Sequence, residues 1–194
     1  MSHSLRCRCG RVKGVIAAEA RANHVLCYCN DCQAFAHFLG RASDVLDERG
    51  GSEIVQILPK NLSFIQGVDA LACMRLTEKG LLRWYASCCK TPIGNTLASS
   101  KLSFIGVVHS CLENPAAFGP VRVVVNTQGA KGEPKPKQHG IGTMMRWFFG
   151  NALKARFTGE YKHTPLFRAD GTPIVTPQVL SGEEHARLVR AVLA

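Results

Sequence analysis

The 194-residue chain has no long hydrophobic run, and this absence limits the classes of protein to which it can belong. No apolar stretch approaches the roughly 18 residues that a membrane-spanning helix needs. The residues that follow Met1 form no apolar core of a secretory signal. We therefore expect a cytoplasmic protein without a membrane partner. Hydrophobic residues still make up 46% of the chain, which is enough to bury a sizeable core.

Acidic residues are also scarce, with 14 Asp and Glu against 24 Lys and Arg and a formal net charge of +10. The excess is concentrated in residues 121–168, where nine Lys or Arg stand against two Glu, a net charge of +7. Such a segment attracts nucleic acid, an anionic membrane or a small polyanionic substrate. Charge alone does not choose among these three partners.

Cysteine is plentiful, and three of the nine cysteines fall within six residues, at Cys27, Cys29 and Cys32. This C-x-C-x-x-C spacing lets the backbone turn so that three sulfurs face one point, which suits a thiophilic ion such as Zn²⁺. Three protein ligands leave a tetrahedral ion with one open position, as in reactive rather than purely structural sites. The alternative is a set of incidental buried thiols. The close spacing favours metal binding.

Two further cysteine pairs lie outside this run. Cys7 and Cys9 need partners to complete four-coordination, and Cys88 and Cys89 form the dense candidate pair. A closed site of this kind would join the N-terminus to the middle of the chain and contribute directly to folding. Neighbouring side chains diverge on an extended backbone, so the sequence leaves open whether both Cys88 and Cys89 bind. Cys73 and Cys111 are predicted to be core or surface thiols.

Short β-branched runs at close spacing predict a mainly β body. We expect residues 12–18 to pair with residues 23–28, and we expect one hairpin from residues 53–58 and 62–66 around Pro59. Residues 71–76 and 81–85 are predicted to form a second hairpin.

The composition changes near residue 126, where a segment rich in Gly, Pro and Lys begins. The change predicts a β domain over residues 1–126 and a basic extension packed on it over residues 127–194. Two helices are expected in the extension, one over residues 141–157 and one opened by a Ser181–Glu184 capping box. The first helix carries an apolar face that we expect to pack on the β body rather than on a membrane or partner; its residues are Ile141, Met144, Met145, Phe148, Ala152 and Ala155.

The ordered cysteine groups, taken together, resemble the glutathione-dependent formaldehyde-activating enzyme family, which includes the centromere protein V relatives. The resemblance covers roughly residues 5–125. The motifs that carry it are Cys7-x-Cys9-Gly10-x-Val12, Cys27-x-Cys29-x-x-Cys32, Trp84-Tyr85-Ala86-Ser87-Cys88-Cys89-Lys90-Thr91-Pro92 and Cys111-Leu112-Glu113-Asn114-Pro115.

The resemblance implies an Mss4-like, β-rich fold with zinc knuckles and one or two Zn²⁺ ions per chain. A structural zinc would be held by Cys7, Cys9 and a pair from the third motif, and a catalytic-type zinc by Cys27, Cys29 and Cys32. The implied activity is that of a carbon–sulfur lyase run in the synthetic direction, in which formaldehyde and glutathione give S-hydroxymethylglutathione. A glutathione-like thiol is thus the implied small-molecule partner.

The chain departs from the family pattern at three positions. Aligned on Thr91-Pro92, Ala86 stands where the family has a cysteine and Lys90 where it has a glycine. Either Cys88 substitutes for the missing cysteine, or the structural site is weakened, three-coordinate or absent. Gln33 stands where a basic residue commonly follows the catalytic knuckle.

Cations and imidazoles near the cysteines are candidates for supporting roles. Arg8, Arg11 and Lys90 could hold the carboxylates of glutathione, and His24 or His37 could move a proton. For each residue alone, a solvated surface charge or a structural histidine is the simpler interpretation.

A different class of function remains open. In that alternative both zinc sites are structural and the basic segment binds nucleic acid or another acidic partner. Aromatic residues are not interleaved with the basic ones before Arg146, so the sequence indicates no platform for stacking bases.

Overall fold

The computed structural model describes residues 2–193, which form two β-sheets and four α-helices. The strands are β1 (His3–Arg6), β2 (Lys13–Ile16), β3 (Asn23–Cys27), β4 (Ser52–Ile57), β5 (Leu62–Gln66), β6 (Leu71–Arg75), β7 (Leu82–Ala86), β8 (Thr91–Thr96), β9 (Ile105–Val108), β10 (Val123–Val125) and β11 (Gln178–Val179). The helices are α1 (Asn30–Phe38), α2 (Ala42–Val45), α3 (Ile141–Thr158) and α4 (Gly182–Leu193). The prediction of a mainly β protein with two helices in its C-terminal segment is confirmed. The Mss4-like assignment stays a prediction.

The larger sheet has eight strands in the order β10-β3-β4-β9-β8-β7-β6-β11, and the smaller has three in the order β1-β2-β5. Side chains of the larger sheet alternate between two apolar layers, as the period of two in a strand requires. Val55 and Val107 point to the layer shared with the smaller sheet, whereas Ile54 and Val108 point to the layer that also holds residues of α1 and α2. The larger sheet is therefore covered on both faces.

Two of the predicted strand pairings are wrong. β2 pairs with β1 and β5, and β3 pairs with β4 and β10. Residues Pro59–Asn61 form a single 3₁₀ turn that carries the chain from the larger sheet to the smaller one, so β4 and β5 form no hairpin. The reason is burial: β4 is a covered central strand, while β5 is an edge strand with several exposed residues. The hairpin of β6 and β7 is confirmed.

Sequence periodicity did not indicate helix α1, which begins directly at the C-x-C-x-x-C run. Its N-cap is Cys29, whose sulfur accepts a hydrogen bond from the backbone amide of Cys32. α1 packs against the C-terminal helix α4 through the layer that holds Phe35, Leu188 and Val192. The last helix of the chain therefore packs against the helix that begins at the cysteine run.

The predicted helices of the extension are both present. α4 is opened by the expected capping box, since Glu184 N–H donates to Ser181 Oγ and Ser181 N–H to Glu184. On α3, Ala155 is buried and Met144 is half-buried, but Ile141 and Met145 are exposed, so the predicted packing face was wrong at those two positions. Within residues 2–193, no helix combines the length and apolar character needed to cross a membrane.

Candidate metal centres and the adjoining cavity

Four cysteine sulfurs meet on one side of the molecule, and we call this set the four-cysteine group: Cys7, Cys9, Cys88 and Cys89. All four sulfurs lie within 4.8 Å of one another. The Cys7–Cys9 distance is 3.5 Å, the Cys9–Cys88 distance 3.3 Å and the Cys7–Cys88 distance 3.9 Å. A tetrahedral ion with metal–sulfur bonds of about 2.3 Å requires sulfurs about 3.8 Å apart. The group could therefore hold a metal ion with all four positions filled by protein.

Two tight turns bring these sulfurs together. Cys7 and Cys9 lie in the turn after β1, where the backbone amide of Val12 donates to Cys7 Sγ at 3.2 Å. Cys88 and Cys89 lie in the turn between β7 and β8, and Lys90 closes that turn in the left-handed region with a φ of 56°. Glycine adopts this conformation without strain, whereas lysine does not.

The missing cysteine of the third motif does not leave the group incomplete. Ala86 is buried at the end of β7, and Cys88 lies with Cys7 and Cys9 instead. The adjacent Cys89 joins the same group, because the left-handed turn at Lys90 keeps this stretch from being extended. Burial raises the pKa of the Cys89 thiol, but hydrogen bonds from Thr91 and Cys9 outweigh it and bring the value to about 6.

The remaining clustered cysteines, Cys27, Cys29 and Cys32, form the three-cysteine group, with sulfurs also within 4.8 Å of one another. Cys27 ends β3, Cys29 caps α1 and Cys32 lies in the first turn of that helix. The side-chain amide of Asn126 donates to Cys27 Sγ at 3.2 Å. Among residues 2–193, no histidine or carboxylate joins these three sulfurs as a fourth ligand.

The three thiols cannot all be deprotonated at the same time unless a cation lies beside them. Hydrogen bonds from Cys29 and Cys32 lower the pKa of Cys27 to about 3. The hydrogen bond with Cys27 is also the main reason that the pKa of Cys29 is raised far above its usual value. The same kind of hydrogen bond raises the pKa of Cys32 to about 11. A second thiolate in this space is stable only beside a cation. The donor set therefore fits a soft divalent ion.

A cavity of about 280 Å³ adjoins the three-cysteine group, and all three cysteines line it. Its walls are mostly apolar, with Val25, Ile54, Phe104 and Met144 among the lining residues. Met144 comes from α3, so the basic extension closes one side of the cavity. A small organic molecule could approach the three sulfurs through this space.

The supporting residues proposed from sequence lie elsewhere, since none of the five lines the cavity. Arg11 is paired with Asp69 at 2.6 Å, and Lys90 Nζ lies 5.1 Å from the centre of the Tyr85 ring. His24 is buried, with its Nε2 3.0 Å from Glu53. Arg8 is exposed in the four-cysteine turn, and His37 is half-buried in the last turn of α1.

Three other notable residues are structural in this fold. Gln33 is fully buried, and its amide donates to the carbonyls of Tyr28 and Gly129, so it fastens the start of α1 to the loop after β10. Cys73 and Cys111 are both buried core thiols, apart from the two groups.

Sequence reasoning missed two residues of the cavity, Arg83 and Asn126. Arg83 had a visible signal, because it is the one charged residue within the apolar strand β7. Asn126 had none, since its role depends on a left-handed backbone with a φ of 58° that aims the amide at Cys27. Lys90 and Asn126 are the two non-glycine residues of positive φ within residues 2–193, and each adjoins one cysteine group.

Comparison with known proteins identifies a family and distant structural relatives. No curated protein matches the chain. A crystal structure of a Rhodobacter sphaeroides protein is 20% identical, covers 61% of this chain and 96% of its own, and has a TM-score of 0.39. Residues 1–176 match the family described as "Family of unknown function (DUF6151)". Because this match spans most of the sequence, the chain belongs to the DUF6151 family.

Proposed function

We propose that the protein is a zinc-dependent carbon–sulfur lyase that acts on a thiol or a thiol–aldehyde adduct of the S-hydroxymethyl kind. One observation carries the proposal: the three-cysteine group offers three sulfurs and no fourth protein ligand within the described chain, and it borders a cavity. A structural site has no need of either feature. The resemblance of the cysteine motifs to the formaldehyde-activating family supports the same conclusion.

The donor sets of both groups suit zinc, since thiolates are preferred ligands of this ion. A zinc ion bound by three thiolates would lower the pKa of an incoming thiol, so that the thiol is present as thiolate near neutral pH. The side chains of the protein then have separate tasks. Asn126 orients Cys27 through its hydrogen bond, and Cys29 fixes the start of α1. The apolar wall excludes water from the reacting sulfur.

The reaction balances without an oxidant or a reductant. In the synthetic direction the sulfur of the thiol adds to the carbonyl carbon of the aldehyde, and the thiol proton ends on the carbonyl oxygen. In the reverse direction the carbon–sulfur bond breaks, the hydroxyl proton is transferred to the sulfur, and free thiol and aldehyde are released.

The test is the exchange rate between glutathione, formaldehyde and their adduct, measured by NMR exchange spectroscopy with and without the zinc-loaded protein. We expect the wild type to accelerate exchange and Cys29→Ser to abolish the acceleration, by about 100-fold or more. Serine can still cap α1, so the variant should fold. A short-chain thiol such as 3-mercaptopropionate is run beside glutathione, because the cavity is small.

The matched control is Cys73→Ser, which makes the same chemical change at a cysteine outside both groups. It should keep the wild-type exchange rate. A zinc-loaded wild type that accelerates exchange with neither thiol would overturn the proposed activity. So would a Cys29→Ser variant that retains full acceleration.

A further inference from the structure

The cavity beside the three-cysteine group contains one buried cation, Arg83. Its side chain is 1% exposed, although β7 places it among apolar neighbours. The guanidinium donates to Asn95 Oδ1 at 3.2 Å and lies over the ring of Phe35, 5.5 Å from its centre. A guanidinium carries five N–H donors, and burial without a matching anion is costly.

The pairing of this cation inside the protein is weak. Its partner carboxylate is Asp31, at 3.4 Å, and the Asp31 side chain is 57% exposed to solvent. Water screens an exposed carboxylate, so Asp31 compensates the buried charge only in part. Asp31 and Arg83 are the two charged side chains among the cavity-lining residues apart from the cysteines. Arg83 is therefore a cation in the cavity wall whose charge is balanced only in part by its carboxylate partner.

We infer that the cavity recognises a short thiol that carries a single carboxylate, with the guanidinium of Arg83 binding that carboxylate. The inference rests on the proposed function, because the sulfur of the same molecule is the group presented to the three cysteines. Arginine binds a carboxylate through two parallel N–H donors, which fixes orientation as well as charge. The apolar residues that line the same cavity suit a spacer of methylene groups.

Size and charge argue against a tripeptide as the preferred ligand. A volume of about 280 Å³ lies at the small end of ligand cavities. Glutathione carries two carboxylates and one ammonium group. Among the described residues that line it, the cavity offers a single cation, Arg83, which already has Asp31 as a partner, so it has no second cation for a second carboxylate. A competing role for Arg83 is that of counter-charge to the thiolates of the three-cysteine group. That role requires no carboxylate on the ligand, so the two can be separated.

The experiment uses the protein loaded with Co²⁺, whose visible absorption reports a thiolate joining the metal. Two ligands are titrated: 3-mercaptopropionate and its neutral near-isostere 3-mercaptopropionamide. In the wild type we expect the acid to bind about tenfold more tightly than the amide. In Arg83→Gln the ratio of the two dissociation constants should fall to about one.

The ligand pair keeps the inference falsifiable even where Arg83→Gln folds poorly, because the wild-type ratio can overturn it without the variant. Equal affinity of the acid and the amide for the wild type would overturn the role of Arg83 and leave the proposed function intact. Absence of any spectral change with either thiol would overturn the proposed function itself. A tight-binding acid whose advantage survives in a folded Arg83→Gln variant would show that another group binds the carboxylate, and so overturn the assignment.

A separate observation concerns the outer side of α3. Large apolar residues recur there at every fourth position, and the last three are strongly exposed: Phe149 by 63%, Leu153 by 60% and Phe157 by 82%. Ile141 and Met145 extend the same row toward the start of the helix. Residues four apart lie next to one another on a helix surface, so the row is continuous. Ala155 is buried on another side of α3, and the helix contacts β10.

The charge of this outer face is entirely positive. Arg146, Lys154 and Arg156 are exposed on α3, and the helix contains no Asp or Glu. A second copy of the chain bound through a two-fold axis would set these cations against the same cations. Anionic lipid headgroups complement them, and Phe and Leu side chains enter the boundary between headgroups and acyl chains.

We propose that the outer face of α3, defined by its row of five exposed apolar residues and its three cations, lies on an anionic membrane surface. This replaces the expectation from sequence that no membrane takes part. That expectation depended on the lack of a spanning segment and on the packing of this helix on the β body. A helix lying in the plane of the membrane needs no spanning segment, and the row of apolar residues is on its exposed side.

The test is flotation with vesicles of phosphatidylcholine, with and without phosphatidylglycerol. We expect the wild type to float with the anionic vesicles, and the double variant Phe149→Ser/Phe157→Ser to lose at least about nine-tenths of that binding. The matched control is Ile65→Ser, because Ile65 is 67% exposed on β5 and outside the extension. It should float like the wild type.

Three results would overturn the membrane proposal. One is a wild type that binds neither vesicle type. Another is a wild type that is dimeric by analytical ultracentrifugation while the double variant is monomeric, since a second copy of the chain would then cover the face. The third is equal flotation of the wild type and the double variant, which would assign binding to charge alone.

Discussion

The two cysteine groups use the same ligand type and differ in what they connect. In the four-cysteine group, Cys7 and Cys88 are 81 positions apart, so a bound ion would close a long loop between the two sheets. The three-cysteine group is confined to six residues at the end of β3 and the start of α1. Closing a long loop restricts the unfolded chain far more than closing a short one. We therefore expect the first group to hold the fold together, and we propose that the second leaves a ligand position beside a cavity.

Their surroundings differ in the same direction. Cys9 and Cys88 are exposed, and only Cys7 of the four-cysteine group lines the neighbouring cavity of about 570 Å³. In the three-cysteine group, by contrast, all three cysteines line the cavity of about 280 Å³. Stability should therefore depend mainly on the four-cysteine group, and ligand chemistry on the three-cysteine group. Substitutions placed in one group at a time can break or sharpen this contrast.

The largest effect on stability is expected for Cys9→Ser. Cys9 is exposed, so its loss costs little packing, and any large effect must come from the metal. We expect one metal ion per chain to be lost and the melting temperature to fall by about 10 °C or more, measured by calorimetry and elemental analysis. Arg8→Ser, at the neighbouring exposed position, is the control and should melt like the wild type. A Cys9→Ser variant that keeps its metal and its melting temperature would contradict the structural role.

A smaller effect on stability is expected for Cys29→Ser, although its effect on thiol exchange is the larger of the two. The variant should lose the other metal ion and melt within about 4 °C of the wild type, because no long loop is released and serine still caps α1. Elemental analysis and calorimetry on the same preparation measure both quantities. The contrast between the groups fails if Cys29→Ser destabilises the protein more than Cys9→Ser does.

The next prediction concerns Asn126, which holds Cys27 from a left-handed position. Asn126→Gly keeps that backbone free of strain and removes only the amide donor. We expect the zinc affinity of the three-cysteine group to fall about tenfold, measured by competition with a chromophoric chelator. Gln138→Ala is the control, since Gln138 accepts a hydrogen bond from the backbone amide of Asn126 rather than from its side chain. Unchanged zinc affinity in Asn126→Gly would show that Asn126 does not support metal binding at this group.

The sequence predicted the cysteine groups better than the strand order around them. Close spacing alone was enough to join Cys27, Cys29 and Cys32, because local geometry decides whether they meet. The partners of β2 and β5 depended on which strands are covered on both faces, and local pattern does not report that. Arg83 and Asn126 became visible only in three dimensions, since one depends on the cavity and the other on a rare backbone conformation.

The smallest effect is expected at Lys90, the counterpart of Asn126 beside the four-cysteine group. The left-handed backbone of Asn126 places its side-chain amide against the sulfur of Cys27. The exposed side chain of Lys90, by contrast, lies over the ring of Tyr85. Lys90→Gly and Lys90→Ala both remove that contact, but alanine keeps the left-handed strain. We therefore expect the glycine variant to be more stable than the alanine variant by about 1 kcal/mol, measured by urea denaturation, with metal content equal in both. Equal stability would mean that the turn relaxes around alanine, and that the four sulfurs rather than the backbone set its shape.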